Sequence, residues 1–171
     1  MKKLLIEKVP RILKSRKKLE QELNIQISNR GKEFFIEGKP EDEFIAEKVL
    51  EALNFGFPFS AAIEIKKNDF MFEVLNIKDY TNRKNLEQIR ARIIGTGGRT
   101  LKTLSNISEC FLELKDNEIG IIGPPECIKP AQDGVISLIQ GAKQGNVYSG
   151  LEKNHPTKEF DLGLRNPKER L

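Results

Sequence analysis

The chain of 171 residues is long enough for one ordinary domain or two small ones, and 38% hydrophobic residues are enough to build cores. A net charge of +4 excludes no class of partner and, taken alone, indicates none. The charge is unevenly distributed, however: six basic and no acidic residues lie between Lys8 and Lys18, whereas Glu41 to Glu51 carries five acids and one lysine. Segregated charge of this kind is expected of a surface that binds a polyanion.

The sequence offers few groups for chemistry other than binding. Cys110 and Cys127 lack the spacing of metal ligands, and the single histidine, His155, lies in a polar tail, so we predict buried free thiols and no metal site. A membrane-spanning apolar run and a signal peptide are both missing, which favours a cytoplasmic protein without membrane contact. Because no nucleophile or acid-base pair stands out, we predict a non-catalytic protein without a cofactor.

A pattern in the first half of the chain returns in the second half. The motif Ile-x-Gly-x-Pro-Glu occupies residues 36–41 and occurs again at residues 121–126. Further matches at the same offset pair Ala46, Leu53 and Gly56 with Ala131, Leu138 and Gly141. Similarity at a fixed spacing indicates a duplicated unit, and each copy is predicted to run from a strand through a Gly-x-Pro-Glu turn into a helix with a closing glycine.

The first copy is predicted over residues 1–56, the second over 70–153, with a connector at 57–69 and a mobile polar tail at 154–171. In the first copy we expect strands at Lys3–Ile6, Ile25–Ser28 and Glu33–Glu37, a basic helical stretch to Leu23, and a helix over Pro40–Leu53. In the second copy we expect strands at Phe70–Ile77, Cys110–Leu114 and Glu118–Ile122, helices from Leu86 to Ile93, around Leu101 and Leu104 and over Pro125–Ile139, and a short helix around Val147–Lys153.

The loop Gly95-Thr96-Gly97-Gly98 joins the first two predicted helices of the second copy. Two apolar residues, Ile93 and Ile94, precede it, and Leu101 and Leu104 follow three and six positions after its last glycine. This pattern is the signature of a KH module, whose Gly-x-x-Gly loop clamps the backbone of four nucleotides. A bare Gly-x-x-Gly would be weak evidence, but the flanking residues and the β-α-α-β-β-α order make it specific.

The chemistry of a nucleic-acid clamp requires these residue types at this point. Glycines let a sugar-phosphate backbone approach where a Cβ would collide, and the N–H groups that begin the next helix face phosphate oxygens. The candidate RNA-binding residues beside the loop are four cations and one apolar residue of a base-binding groove, namely Arg90, Arg92, Arg99, Lys102 and Ile94. A tight interhelical turn with a solvated basic face remains the alternative; a nucleotide-binding loop is disfavoured, because the glycines follow a helix.

The first copy carries no glycine at the corresponding place. The repeat offset aligns the loop with Pro10-Arg11-Ile12-Leu13, and matching the preceding helix aligns it with Lys14-Ser15-Arg16-Lys17. Secondary phosphate contacts at longer range are predicted for Lys14, Arg16, Lys17 and Lys18, although an exposed basic helix face explains them equally well. We therefore interpret the first copy as a supporting or protein-binding module.

Residues 1–153 resemble the archaeal KH ribosome-assembly factors, which are relatives of the eukaryotic partner-of-Nob and Krr proteins. The most specific stretches are residues 91–95, 121–126 and 145–148. The resemblance implies an α+β fold of two tandem type I KH domains, β-α-α-β-β-α each, with the first degenerate. The chain departs from the family pattern at the basic first loop, which puts RNA contact there in doubt, and at Ala91, where the family has glycine.

The resemblance also implies binding of small-subunit ribosomal RNA near its 3′ end, beside the Nob endonuclease, with contact to the alpha subunit of translation initiation factor two. Two other functions stay open. The chain could be an accessory RNA-binding subunit of a processing complex such as an exosome, or a general RNA chaperone. Alternatively, it could be a protein-interaction scaffold whose KH units bind no RNA.

Overall fold

The computed structural model describes residues 1–154, which form two compact units, Met1–Phe72 and the chain from Glu73 onward. The tail predicted to be mobile, residues 154–171, lies outside the described residues except for Asn154, and so does its residue His155. None of the helices in the described part is long and apolar enough to span a bilayer.

The first unit combines a three-stranded antiparallel sheet with helices. Its elements are β1 (Lys2–Leu5), α1 (Val9–Leu23), β2 (Ile25–Arg30), β3 (Glu33–Gly38), α2 (Pro40–Phe55), α3 (Phe59–Ala62) and α4 (Glu64–Lys67). The strand order is β1-β3-β2, so the last strand in the chain lies in the centre. The helices cover one face, where Phe34 and Ile36 of β3 are fully buried. Alternating burial along β3 is expected of a sheet with one solvated face.

The predicted helical stretch to Leu23 is confirmed, but the pair of helices that the family resemblance implied between the first two strands is wrong for this unit. One continuous helix, α1, occupies the whole segment. Pro10 lies in its first turn, where proline is tolerated, and no glycine follows that could interrupt it. The buried residues Ile12, Leu19 and Leu23 lie on one helical face along its full length. The segment predicted as a connector also contains helices, α3 and α4, and buries Phe57 in the first unit.

The second unit follows the predicted β-α-α-β-β-α order, with one more helix at its end. Its elements are β4 (Met71–Asn76), which begins two residues before the boundary between the units, α5 (Leu86–Ile94), α6 (Arg99–Ser108), β5 (Phe111–Lys115), β6 (Glu118–Gly123), α7 (Pro125–Ile139) and α8 (Gln144–Lys153). The strand order is β4-β6-β5, again with the last strand in the centre. One core joins the helices to the sheet, and Ile77, Ile93 and Ile121 are fully buried in it.

The repeated Gly-x-Pro-Glu motif has the same structural role in both units. Gly38 ends β3 and Gly123 ends β6, each beside the start of the neighbouring edge strand. A Cβ on Gly38 would lie 3.0 Å from Cγ2 of Ile25, and one on Gly123 would lie 2.4 Å from Sγ of Cys110. Gly38 therefore leaves room for the first residue of β2, and Gly123 leaves room for Cys110, directly before β5.

The prediction of buried free thiols is confirmed for Cys110 and Cys127. Burial raises the pKa of the Cys110 thiol to about 12, and it also raises the pKa of Cys127. Because the thiolate is the reactive form, burial lowers the reactivity of both groups.

Candidate nucleic-acid interface

The loop between α5 and α6 is a tight turn with an uncapped helix after it. Gly95 N–H donates to the Ala91 carbonyl at 2.8 Å, which closes α5, and Gly98 N–H donates to the Gly95 carbonyl at 3.2 Å. Gly98 is the N-cap of α6, and no side chain bonds the first N–H groups of that helix. The Arg99 N–H donates to the Thr96 carbonyl. The N–H groups that follow it lie at the positive end of the helix dipole, so they suit a phosphate oxygen.

The glycines of the loop are required for two different reasons. Gly95 has φ 74° and ψ 176°, a region that essentially only glycine adopts, and a Cβ there would lie 2.1 Å from Oγ1 of Thr100. Gly97 and Gly98 have φ 61° and 76°, but a Cβ on either would meet nothing within 4 Å. The chain itself therefore excludes a side chain at Gly95, whereas the space over Gly97 and Gly98 is open to a ligand.

Two of the four predicted cations make contacts within the second unit. Arg90 Nη1 donates to Oδ1 of Asn117 at 2.6 Å. Arg92 donates through Nη1 to the Leu138 carbonyl at 3.2 Å and through Nη2 to the Ala142 carbonyl at 2.5 Å. Both side chains are half-buried, and their predicted role in RNA binding stays a prediction.

The other two cations, Arg99 and Lys102, are exposed in the first turn of α6 and its continuation. Neither side chain has an ion-pair or hydrogen-bond partner among residues 1–154. Ile94, which ends α5 directly before the loop, remains 37% exposed, and Leu101 on α6 is half-buried. The structure thus brings free positive charge and accessible apolar surface together beside the open side of the loop.

If Arg99 and Lys102 bind phosphates, their removal will change the salt dependence of RNA binding. For each substitution, Arg99→Ala or Lys102→Ala, we expect the slope of log affinity against log salt to become shallower by about 0.7, the value for a phosphate contact on a single strand. Fluorescence anisotropy titrations with a single-stranded RNA at several salt concentrations measure this slope. Lys129→Ala is the control, because that lysine is paired with Asp133 at 2.9 Å. An unaltered slope in both variants would exclude these contacts.

The basic stretch of the first unit is partly engaged in contacts of its own. Arg16 pairs with Glu20 at 3.4 Å, and Lys18 lies over the Phe59 ring at 4.4 Å from the centroid. Lys14 and Lys17 are exposed, and neither has a side-chain partner in the described part of the chain. Segregated charge in the sequence therefore overstated the free charge on the surface of α1.

An open cavity of about 520 Å³ lies between α1 and β2 in the first unit. Its lining mixes Arg16 and Lys17 with Glu20 and Glu37. Glu20 is held in place there, because its Oε1 accepts the Ile27 N–H at 2.8 Å. The two carboxylates offset the two cations of this lining, so the cavity attracts phosphate less than the loop of the second unit does.

Sequence reasoning missed two residues of the site, Thr100 and Gln144. Gln144 Nε2 donates to Oγ1 of Thr100 and to the Arg92 carbonyl. No periodicity or motif marks either residue, because their contacts are long-range and join α8 to the loop. Within residues 1–154, no group of histidine, cysteine or acidic side chains could hold a metal ion.

Comparison with known proteins identifies the second unit. A family model described as the eukaryotic type KH domain (KH-domain type I) matches residues 71–156. The pre-rRNA-processing protein pno1 of Emericella nidulans is 33% identical over 111 residues, which cover 63% of this chain and 43% of the relative. A KH domain-containing protein of Methanocaldococcus jannaschii is 25% identical over 109 residues, 63% of this chain and 48% of the relative. The chain thus matches less than half the length of these relatives.

A solved structure extends the likeness in fold to most of the chain. In a crystal structure of an a/eIF2alpha-aDim2p-rRNA complex from Pyrococcus horikoshii, one chain matches with a TM-score of 0.80 and 24% identity, covering 89% of this chain and 92% of that one. The family match to about half of the chain and the similarity to pno1 confirm the predicted resemblance to KH ribosome-assembly factors. The chain therefore belongs to the type I KH family and is similar to the pre-rRNA-processing protein pno1.

Proposed function

We propose that this chain is a non-catalytic, cytoplasmic RNA-binding protein that binds single-stranded small-subunit ribosomal RNA near its 3′ end during ribosome maturation. The second unit makes the contact. One observation carries the proposal: the space over Gly97 and Gly98 is empty, beside the unpaired side chains of Arg99 and Lys102. A sugar-phosphate backbone fits such a place, because it needs close approach and positive charge together.

The identity of the RNA and of the partners is supported by the relatives. The Emericella nidulans protein is named for pre-rRNA processing, and the Pyrococcus horikoshii complex contains rRNA. The same complex contains a/eIF2alpha, which supports the alpha subunit of translation initiation factor two as a protein partner of this chain. A role beside the Nob endonuclease rests on the family resemblance alone.

For the first unit we propose a degenerate KH domain that supports the second unit or recruits a protein partner. It does not clamp RNA. The equal strand orders β1-β3-β2 and β4-β6-β5 support a common origin of the two units. The continuous helix α1 offers no glycine loop, and Arg11 donates to the Gly56 carbonyl at 2.9 Å within the unit. Of the four basic residues of α1 for which phosphate contacts were predicted, Lys14 and Lys17 remain available for weak, long-range attraction of phosphates.

The sharpest test of this function compares two single-stranded RNAs of equal length and composition. One has the sequence of the 3′ end of small-subunit ribosomal RNA, and the other is scrambled. We expect the 3′-end RNA to bind more tightly by about tenfold or more, since base edges carry the specificity. Isothermal titration calorimetry measures both affinities.

The other outcomes of this comparison favour the alternative functions. Equal affinity for the two RNAs would favour an accessory subunit of a processing complex such as an exosome, or a general RNA chaperone. Absence of binding to either RNA at low salt would favour a protein-interaction scaffold.

A further inference from the structure

The side chain of Gln144 joins the two helices that flank the glycine loop. Its Nε2 donates to the Arg92 carbonyl at 3.2 Å and to Oγ1 of Thr100 at 3.1 Å. Arg92 belongs to the last turn of α5 and Thr100 to the first turn of α6, while Gln144 begins α8. A single amide group from α8 therefore bridges the helix before the loop and the helix after it.

The last turn of α5 also donates hydrogen bonds to the end of α7 and to the link before α8. The guanidinium of Arg92 donates to the Leu138 and Ala142 carbonyls, at the end of α7 and in the link to α8. The Leu138 carbonyl also accepts the Gly141 N–H at 3.1 Å, so the Arg92 guanidinium is a further donor to the end of α7. We call the three residues Arg92, Thr100 and Gln144 the clasp.

The clasp reaches the loop through Thr100. This side chain is only 5% exposed, and its hydroxyl occupies the space where a side chain on Gly95 would be. Gly95 N–H in turn donates to the Ala91 carbonyl at 2.8 Å. The beginning of the loop is thus fixed from behind by α8, while Gly97 and Gly98 face open space.

We propose that α8 positions the glycine loop for RNA through the clasp, and that Gln144 and Arg92 are positioning residues for RNA binding. The inference rests on the proposed function of the second unit. A loop that is held in its binding conformation loses less conformational entropy when the RNA binds, so the affinity increases. Helix α8 lies outside the β-α-α-β-β-α order, and the clasp makes it a working part of the RNA site.

The test compares Gln144→Ala with Gln140→Ala. Gln140 follows α7, is exposed and has no side-chain partner among residues 1–154, so it is a matched control. We expect Gln144→Ala to weaken binding of a single-stranded 3′-end ribosomal RNA by about five- to tenfold, the equivalent of one or two lost hydrogen bonds. Gln140→Ala should bind like the unmodified protein.

Amide hydrogen exchange separates positioning from a general loss of stability. In Gln144→Ala we expect faster exchange at Gly95 and Gly98, whose N–H groups donate to the Ala91 and Gly95 carbonyls, and unchanged exchange in the centre of β6. A uniform increase in exchange across the second unit, with the RNA affinity unchanged under conditions where the protein is folded, would overturn the proposal.

A second variant, Thr100→Val, keeps the shape of the side chain and removes its hydroxyl. If the clasp acts as one unit, the effects of Thr100→Val and Gln144→Ala on RNA affinity will be smaller together than the sum of the single effects. Full additivity would overturn the proposal. Should Gln144→Ala fail to fold, Thr100→Val alone gives the answer through the same affinity and exchange measurements. If the unmodified protein itself did not bind this RNA, that result would instead contradict the proposed function.

Discussion

The double substitution Thr96→Asp, Gly97→Asp should lower the affinity for single-stranded ribosomal RNA by about 100-fold or more, because like charges in a contact cost several kcal/mol. Both positions are exposed, and a side chain on Gly97 meets no atom of the protein. The added carboxylates would therefore occupy the space proposed for the RNA backbone without disturbing the core. Anisotropy titrations measure the affinity, and circular dichroism checks that the fold is intact.

A matched control for the added charge lies in the first unit. Gly31, in the turn between β2 and β3, has φ 63° and equally open surroundings, much as Gly97 has φ 61°. The single substitutions Gly31→Asp and Gly97→Asp thus change the charge and the backbone strain alike. We expect only Gly97→Asp to weaken RNA binding strongly. Equal effects of the two substitutions would show that net charge, and not the loop, controls the affinity.

The largest effect on stability is expected for Gly95→Ala, which should destabilise the second unit by about 3 to 5 kcal/mol. The new Cβ would lie 2.1 Å from Oγ1 and 2.8 Å from the backbone nitrogen of Thr100, and the helix α6 cannot move away without breaking the clasp. The backbone at φ 74° and ψ 176° adds strain of its own. Urea unfolding followed by circular dichroism measures the loss.

Gly145→Ala provides the opposite result in the same unit. Gly145 lies in the first turn of α8, where a Cβ meets nothing within 4 Å and the backbone is helical. Alanine there should raise the free energy of unfolding by about 0.5 to 1 kcal/mol, because it restricts the unfolded chain. If Gly95→Ala were as well tolerated as Gly145→Ala, the tight contact between Gly95 and Thr100 would be refuted.

The loop and the element order of the second unit could be predicted because their signals are local. Apolar residues at helical spacing marked α5, and the glycines marked its end. The roles of Arg90 and Arg92 could not be predicted, because their partners Asn117, Leu138 and Ala142 are far away in the sequence. A basic residue beside a loop has the same appearance in the sequence whether it faces solvent or a helix end.

The error in the first unit has a similar cause. The family resemblance implied two helices, whereas the residues themselves predicted one helical stretch to Leu23, since the segment from Pro10 to Lys17 contains nothing that interrupts a helix. The local sequence favours continuation, and the buried face of Ile12, Leu19 and Leu23 stabilises it. The family resemblance is therefore a weaker guide to the structure of this segment than its own residues.

Two sets of glycines are distributed differently between the two copies of the proposed duplication. Gly38 and Gly123 make room for a strand of their own unit, and both copies have them. A side chain on Gly97 or Gly98 would meet no part of the protein, and the first copy has no glycine at the corresponding positions. The glycines present in both copies are therefore those that folding requires, whereas Gly97 and Gly98, present in one copy, make room for no part of the protein. If the second unit binds the RNA as proposed, the first unit needs no glycine loop, and its surface is available for a different partner.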